Sequence, residues 1–160
     1  MAKFVESMET ERLLFRGIDT ESAPEIVIWR SNPDVYRFFK NPHQISMEEH
    51  IKWFKRAYLS NEDRIDWICI EKSTGKKIGI FGLIRREDET EVNYILDPKA
   101  QHKGYATEGV KRIILFAKEY WKSKVITAEI HKDNMRSIAL VERLGFKQLS
   151  SSDDFLRYQL

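Results

Sequence analysis

Apolar positions along the chain follow two different rhythms. Short runs rich in β-branched and aromatic residues occur at 12–18, 66–70, 77–84, 91–96, 124–130 and 155–160, and each reads as a strand. The turn at 72–76 joins two of these runs into a hairpin, and the charged segment 85–90 joins a third, so the middle of the chain is an antiparallel meander. The other rhythm is helical. Ala106, Val110, Ile113, Ile114, Ala117, Tyr120 and Trp121 recur at i, i+3, i+4, i+7, which predicts a helix over 104–121 with one buried stripe. Ser22 and Pro24 open a helical pattern through Ile26, Val27 and Trp29. Turn signals at 31–35 and 40–43 flank a short polar-aromatic stretch at 36–40. Ser46 followed by Glu49 forms a capping box, opening a helix that carries Ile51, Phe54, Ala57 and Tyr58. A second short helix over 132–146 is capped by Asp133 or Asn134 and stopped by Gly145, with strand from Phe146 onward. A strand–helix–strand crossover makes its strands parallel and right-handed. The expectation is a mixed sheet with helices on both faces, an α/β or α+β domain.

Composition narrows the function classes. A length of 160 residues suits one domain, and 42% hydrophobic residues suffice for a core. The 27 basic and 25 acidic residues leave a net charge of +2, too small for a dedicated nucleic-acid binder. The lone Cys69 allows no internal disulfide and points to a reducing cytoplasm. The first sixteen residues carry acids throughout and lack the apolar stretch of a signal peptide, and no apolar run is long enough to span a membrane. His43, His50, His102 and His131 lack metal-ligand spacing, so no metal is expected.

The segment 97–109, DPKAQHKGYATEG, places two glycines and basic and amide side chains where the long helix begins. The first turn of a helix offers free N–H groups and the positive end of its dipole. Glycine lets an anion approach that backbone closely. Gln101, His102, Lys103, Gly104, Tyr105 and Ala106 therefore read as a pyrophosphate cradle, with Thr107 adding a hydroxyl; a merely solvated helix start fits the local sequence equally well. Neither a Walker loop nor a dinucleotide fingerprint is present.

Gln101, Gly104 and Ala106, after a strand and opening a helix, resemble the Q/R-x-x-G-x-G/A acyl-CoA motif of the GNAT N-acetyltransferases. The resemblance extends over most of the chain: residues 10–18 resemble that family's first strand, 91–117 its central strand, loop and helix, and 134–146 its late helix. GYATEG, the pair Asn134 and Ser137, and the early tryptophan are most similar to the RimJ/RimL-type branch. Residues 29–54 resemble a segment of acetyltransferases that act on nucleotide-linked amino sugars, as in pseudaminic acid biosynthesis. These likenesses imply a mixed, mostly antiparallel sheet of six to seven strands with a splayed parallel pair. They also imply direct attack of a primary amine on the thioester of acetyl-CoA.

In the family reading, amides from Gln101 to Ala106 and the side chain of Asn134 hold the CoA, while Ile95 and Leu96 pair with its pantetheine arm. A lysine-like amine is deprotonated about once in a few thousand at pH 7, so a base is useful. Glu91 on the central strand is the leading candidate and His50, on the acceptor side, a rival. Alternation puts Glu91, Asn93 and Ile95 on one strand face and Val92, Tyr94 and Leu96 on the other. The tyrosine acid of much of the family is replaced here by Val141, which leaves Ser137 or Tyr94 to protonate the leaving thiolate. Trp29, Arg30, His50 and Trp53 are the candidate acceptor contacts, with core packing as the competing role for the aromatics. Cys69 between isoleucines is expected to be buried and inert. The expected partner is a small-molecule amine, a UDP-amino sugar in the narrower reading, with no nucleic acid and no membrane; a homodimer is an open option. Acetylation of a protein N-terminus, a non-catalytic acyl-CoA sensor and a generic nucleotide binder are the alternatives.

Overall fold

The computed structural model describes residues 3–160. Eight strands form one sheet: β1 Met8–Glu9, β2 Leu13–Gly17, β3 Arg64–Glu71, β4 Lys77–Arg86, β5 Glu89–Leu96, β6 Val125–His131, β7 Lys147–Ser152 and β8 Phe155–Gln159. Their order across the sheet is β1-β2-β3-β4-β5-β6-β8-β7. The helices are α1 Ala23–Arg30, α2 Pro33–Tyr36, α3 Met47–Trp53, α4 Tyr105–Glu119 and α5 Met135–Arg143. The sheet is mixed and mostly antiparallel, as expected. Its eighth member is the two-residue β1, too short to leave a periodicity in the sequence.

The apolar runs of β3 and β4 lack alternation because both sheet faces are covered. On one face, Trp67, Phe81 and Leu83 pack under Ile113, Phe116 and Ala117 of α4 and Val141 of α5. On the other, Ile68 and Ile80 pack under Ile26 and Trp29 of α1 and Phe54 and Tyr58 beyond α3. The turn signal at 31–35 is itself a helix start: Asn32 Oδ1 accepts from Asp34 N at 2.9 Å, and Pro33 follows where a missing N–H costs nothing. Half of the expected capping box forms: Ser46 Oγ accepts from Glu49 N at 3.1 Å, while the Glu49 carboxylate meets the Ser46 hydroxyl at 3.4 Å rather than its backbone N–H. Asn134, the second of the two expected caps, closes α5. After α3 the helix widens into a π-type turn over Phe54–Tyr58, in which Leu59 N donates to Phe54 O at 3.1 Å. That turn presents the Tyr58 hydroxyl to β3, where it accepts from Asp66 N at 2.9 Å.

The two glycines of 97–109 serve different ends. Gly104 sits at φ +81°, the left-handed region, and redirects the chain into α4. Gly109 lies inside α4, where an added Cβ would fall 2.2 Å from Phe81 Cε1, so its lack of a side chain lets the helix rest on β4.

Among the described residues only β5 and β6 pair in parallel, and three residue pairs join them, the last being Glu91 with Thr127. Beyond it β5 stays bonded to β4 as far as Leu96, and β6 stays bonded to β8 as far as His131. Each strand is held by its outer neighbour, and the inner edges part in a V.

Candidate functional site

A cleft of about 1100 Å³ runs through this V. Its walls take residues from β5, the turn before α4, β6, α5, α1, α2 and α3.

At one end is the turn into α4. Asp97 Oδ1 accepts from Lys99 N at 3.0 Å, His102 has φ 66° and Gly104 φ 81°. The first helix amide to find a carbonyl is that of Glu108, which donates to Gly104 O at 3.1 Å. The amides of Tyr105, Ala106 and Thr107 are the free ones that a helix start leaves, and these residues are in the cleft wall. A brace behind the wall fixes the turn. The Glu108 carboxylate accepts from Thr10 Oγ1 at 2.5 Å and from Arg12 Nε at 2.7 Å, and Arg12 Nη1 donates to Lys103 O at 2.8 Å. The Tyr105 ring lies under Arg12, and its hydroxyl donates to Glu71 Oε2 at 2.5 Å. Its side chain is thus committed to packing. Arg136 and Arg143 on α5 reach toward His102 and Thr107 across the cleft, making this end basic.

In the middle of the cleft the Tyr94 hydroxyl meets Ser137 Oγ at 2.8 Å. Tyr94 comes from the α4–α5 face of β5, stacked on Phe81, and Ser137 from the first turn of α5. Burial pushes the Tyr94 phenol above its ordinary pKa, against the opposing effects of Ser137, Arg143 and Arg136, so it stays a neutral proton donor. Val141, where much of the family has a tyrosine, is 3% exposed beside it. Asn134 also lines this stretch, although its Oδ1 is engaged by Ser137 N.

The far end holds Arg30, His50, Trp53, Arg64, Asp66 and Asn93, with Phe38 and Phe39 as apolar cover. His50 is 1% exposed, and its Nδ1 has no partner. Burial lowers its pKa, Arg30 lowers it further and Asp66 pulls the other way, so the ring is neutral at pH 7. Arg64 donates to Asp66 Oδ2 at 2.7 Å and covers the Trp53 ring.

Most of the residues singled out from the sequence share this cleft: Ile95, Leu96, Gln101, His102, Gly104, Ala106, Thr107, Asn134, Ser137 and Tyr94, with Arg30, His50 and Trp53 at the acceptor end. Three lie outside its wall. Trp29 is 4% exposed in the second core, Lys103 is exposed beside the turn, and Glu91 precedes the point where the strands part. Burial raises the Glu91 pKa, Arg86 at 3.8 Å draws it back, and Glu129 adds to the rise. Cys69 is fully buried, and burial pushes its thiol far above the usual range, so it offers no thiolate. Asp66, Arg64, Phe38 and Phe39 escape sequence reading because strand register and the fold of α2 bring them to the cleft. Asn93 was legible only as an alternation partner of Glu91. Among the described residues no group of three or more His, Cys, Asp or Glu is placed to hold a metal, and no helix is long and apolar enough to cross a membrane.

A family model described as an acetyltransferase (GNAT) domain matches residues 12–147. The chain is 31% identical over 149 residues to a Methanocaldococcus jannaschii protein, MJ1062; the match covers 88% of this chain and spans 29% of that protein's length. It is 23% identical to the acetyltransferase PseH of Campylobacter jejuni, covering 88% of this chain and 87% of PseH. The structure superposes on a Vibrio cholerae spermidine N-acetyltransferase in complex with CoA and spermine, with a TM-score of 0.84, 94% of this chain and 96% of that one covered, and 17% identity; at that identity the likeness is one of fold.

Proposed function

Because the chain belongs to the GNAT acetyltransferase family, whose members take acetyl from acetyl-CoA and pass it to an amine, we propose that the acceptor here is the amine of a nucleotide-linked amino sugar, a UDP-amino sugar in particular. The observation that carries this reading is the single cleft that joins the free amides before α4 to a far end lined by Arg30, His50 and Trp53. The local resemblance of residues 29–54 to amino-sugar acetyltransferases falls on that far end.

The residues at hand fit CoA. The free amides, the left-handed turn at Gly104 and the arginines of α5 suit its phosphates, and the unpaired edge of β5 at Ile95 and Leu96 suits an extended amide-bearing arm. When bound, acetyl-CoA supplies an activated acyl group. The chain's own residues do the rest. His50, neutral and with Nδ1 unpartnered, accepts the proton from the amine; Glu91, outside the wall, is the more distant second base. The Tyr94–Ser137 pair stands ready to give a proton to the departing thiolate. Trp53, its ring packed between Arg64 and Tyr58, shapes the acceptor end, and Arg30, which has no carboxylate partner among the described residues, suits a diphosphate. A RimJ/RimL-like acceptor, a protein N-terminal amine, is the second reading, favoured by the likeness of Gly104–Gly109 to that branch.

The test is thiol release from acetyl-CoA with a panel holding UDP-amino sugars and N-terminal peptides, with products identified by mass. Turnover of a UDP-amino sugar is expected, reduced at least about tenfold by Tyr94→Phe combined with Ser137→Ala. Turnover of peptides alone would establish the second reading, and CoA binding without turnover of any amine would make the chain a non-catalytic module.

A further inference from the structure

Arg12 stands behind the turn into α4, outside the cleft wall, and holds that turn at three points. Its Nε donates to Glu108 Oε1 at 2.7 Å, its Nη1 donates to Lys103 O at 2.8 Å, and its guanidinium lies 4.4 Å from the centre of the Tyr105 ring. Glu108 is fixed in turn: its Oε2 accepts from Arg12 N at 3.0 Å and from Thr10 Oγ1 at 2.5 Å. The planar fork of one guanidinium therefore ties the chain at β2 both to the first turn of α4 and to the peptide just before it.

That peptide faces the place an anion would take. A trans peptide carries its C=O and N–H on opposite edges, and no cis peptide occurs among the described residues. With Lys103 O drawn back to Arg12, the Gly104 N–H points the other way, and it is Gly104, not Lys103, that lines the cleft. No backbone carbonyl among the described residues receives that N–H. His102 at φ 66° and Gly104 at φ 81° are left-handed, while Lys103 between them is not. Such alternation gathers successive N–H groups into one concavity that suits an anion. The same turn has a weakness. Glycine accepts φ of either sign, so the Lys103–Gly104 peptide can turn over at little cost and present a carbonyl to the anion instead. The hydrogen bond from Arg12 removes that freedom.

We infer that Arg12 and its counter-ion Glu108 are positioning residues for the pyrophosphate of CoA: they lock the Lys103–Gly104 peptide with its carbonyl behind the wall and its N–H in the cleft. The inference rests on the reading of this cleft as a CoA site and adds to it what sets the backbone donors before the cofactor arrives. Arg12 acts through the peptide and not by its own charge, which Glu108 already neutralises at 2.7 Å. Glu108 acts through Arg12: it holds the guanidinium in the one pose that reaches both partners. Amides aimed in advance need not be ordered on binding, which is where such a lock gains affinity.

The test separates position from charge. Glu108 puts a carboxylate in the first turn of α4, so deleting it would tighten CoA binding if charge alone decided, and would free Arg12 to bind phosphate directly. If position decides, deletion weakens binding. By calorimetry, Glu108→Ala and Arg12→Met should each lower CoA affinity at least about tenfold, the loss that one charge-assisted hydrogen bond carries. Arg12→Lys keeps the charge but has no fork; its affinity should fall in the same direction while its thermal midpoint stays near that of the wild type, because the pair is half-exposed. Dephospho-CoA, which keeps the pyrophosphate, should lose as much as CoA. With the best amine of the acceptor panel, KM for acetyl-CoA should rise, whereas kcat, the acceptor KM and the KM for S-acetylpantetheine, which has no pyrophosphate, should change far less. A general loosening of the fold would move them all. In ¹³C,¹⁵N-labelled protein without CoA, the Lys103 carbonyl carbon should shift on Arg12→Met, and inorganic pyrophosphate should move the Gly104 amide saturably in the wild type only. Tighter CoA binding by Glu108→Ala, equal losses with acetyl-CoA and S-acetylpantetheine, or an unmoved Lys103 carbonyl in Arg12→Met would each overturn the inference. A wild-type protein that binds neither CoA nor pyrophosphate would instead strike the CoA reading of the turn, and the Lys103 carbonyl still decides whether Arg12 sets the peptide.

Discussion

Gly109→Ala should destabilise the protein, against the direction that helix propensity dictates. In an exposed helix interior the change is worth about 0.5–1 kcal/mol of stabilisation, because alanine loses less backbone entropy. At Gly109 the new methyl would lie 2.2, 2.3 and 2.8 Å from three carbons of the Phe81 ring. Contact requires nearly 4 Å, so the ring or the helix must move by more than an ångström. Phe81 has nowhere easy to go: it is fully buried, edge-on to Phe15 at 5.6 Å and stacked on Tyr94 at 5.7 Å. Overpacking of this kind costs about 1–3 kcal/mol. The net is a loss of about 1–2 kcal/mol, which for a chain of this size lowers Tm by about 2–8 °C. Urea unfolding of Gly109→Ala, Phe81→Leu and the double variant measures it. The cycle should show coupling of at least about 1 kcal/mol in the rescuing sense, because leucine vacates the space the methyl needs. The displaced ring also pushes on Tyr94, so turnover should fall in Gly109→Ala and recover partly in the double variant. A Gly109→Ala protein as stable as wild type, or more so, would refute the packing argument.

Gly104→Glu places a carboxylate where free amides face the cleft and forces a side chain into a left-handed backbone; CoA affinity should fall at least about a hundredfold by calorimetry, with Gly104→Ala reporting the backbone strain alone. Glu91→Gln should stabilise the protein at pH 7. Burial raises the folded pKa of Glu91 above its unfolded value, so the native state holds the proton more tightly and stability falls as pH rises through that interval. The amide variant escapes that loss, and its advantage should shrink as pH drops below the ordinary glutamate pKa; denaturant unfolding at several pH values checks this, and an advantage that grows with acid would contradict it. Tyr58→Phe leaves the buried Asp66 amide without its acceptor at 2.9 Å and should cost about 1–3 kcal/mol, with a rise in acceptor KM that exceeds any change in CoA affinity.

The sequence made the strands and the long helices legible because their signals are local. Ser46 and Glu49 name a helix start by themselves, and the stripe through Val110, Ile113 and Ala117 names a buried face. The CoA end of the cleft was legible for the same reason: Gln101 to Thr107 is one continuous segment. The acceptor end was not. Asp66 and Asn93 come from β3 and β5, and only the pairing of both strands with β4 puts them in line. Trp29 shows the converse. Its position beside Arg30 suggested a shared role, but neighbouring residues on a helix point about 100° apart, so Arg30 reaches the cleft while Trp29 fills the core. The role of Gly109 was equally hidden, because it depends on a ring presented from β4.

The V between β5 and β6 also governs how the molecule holds together. Five strands on one side and three on the other are joined across the sheet by three rungs, all at the closed end. Hydrogen exchange should therefore be faster along Ala128–His131 on the inner edge than along the same strand's closed end. A ligand that bridges the open edges takes the place of the absent rungs and welds the two panels. At a hundred times its Kd it should add about 2.7 kcal/mol to the stability of the whole, so resistance to heat becomes a direct gauge of how full the gap is.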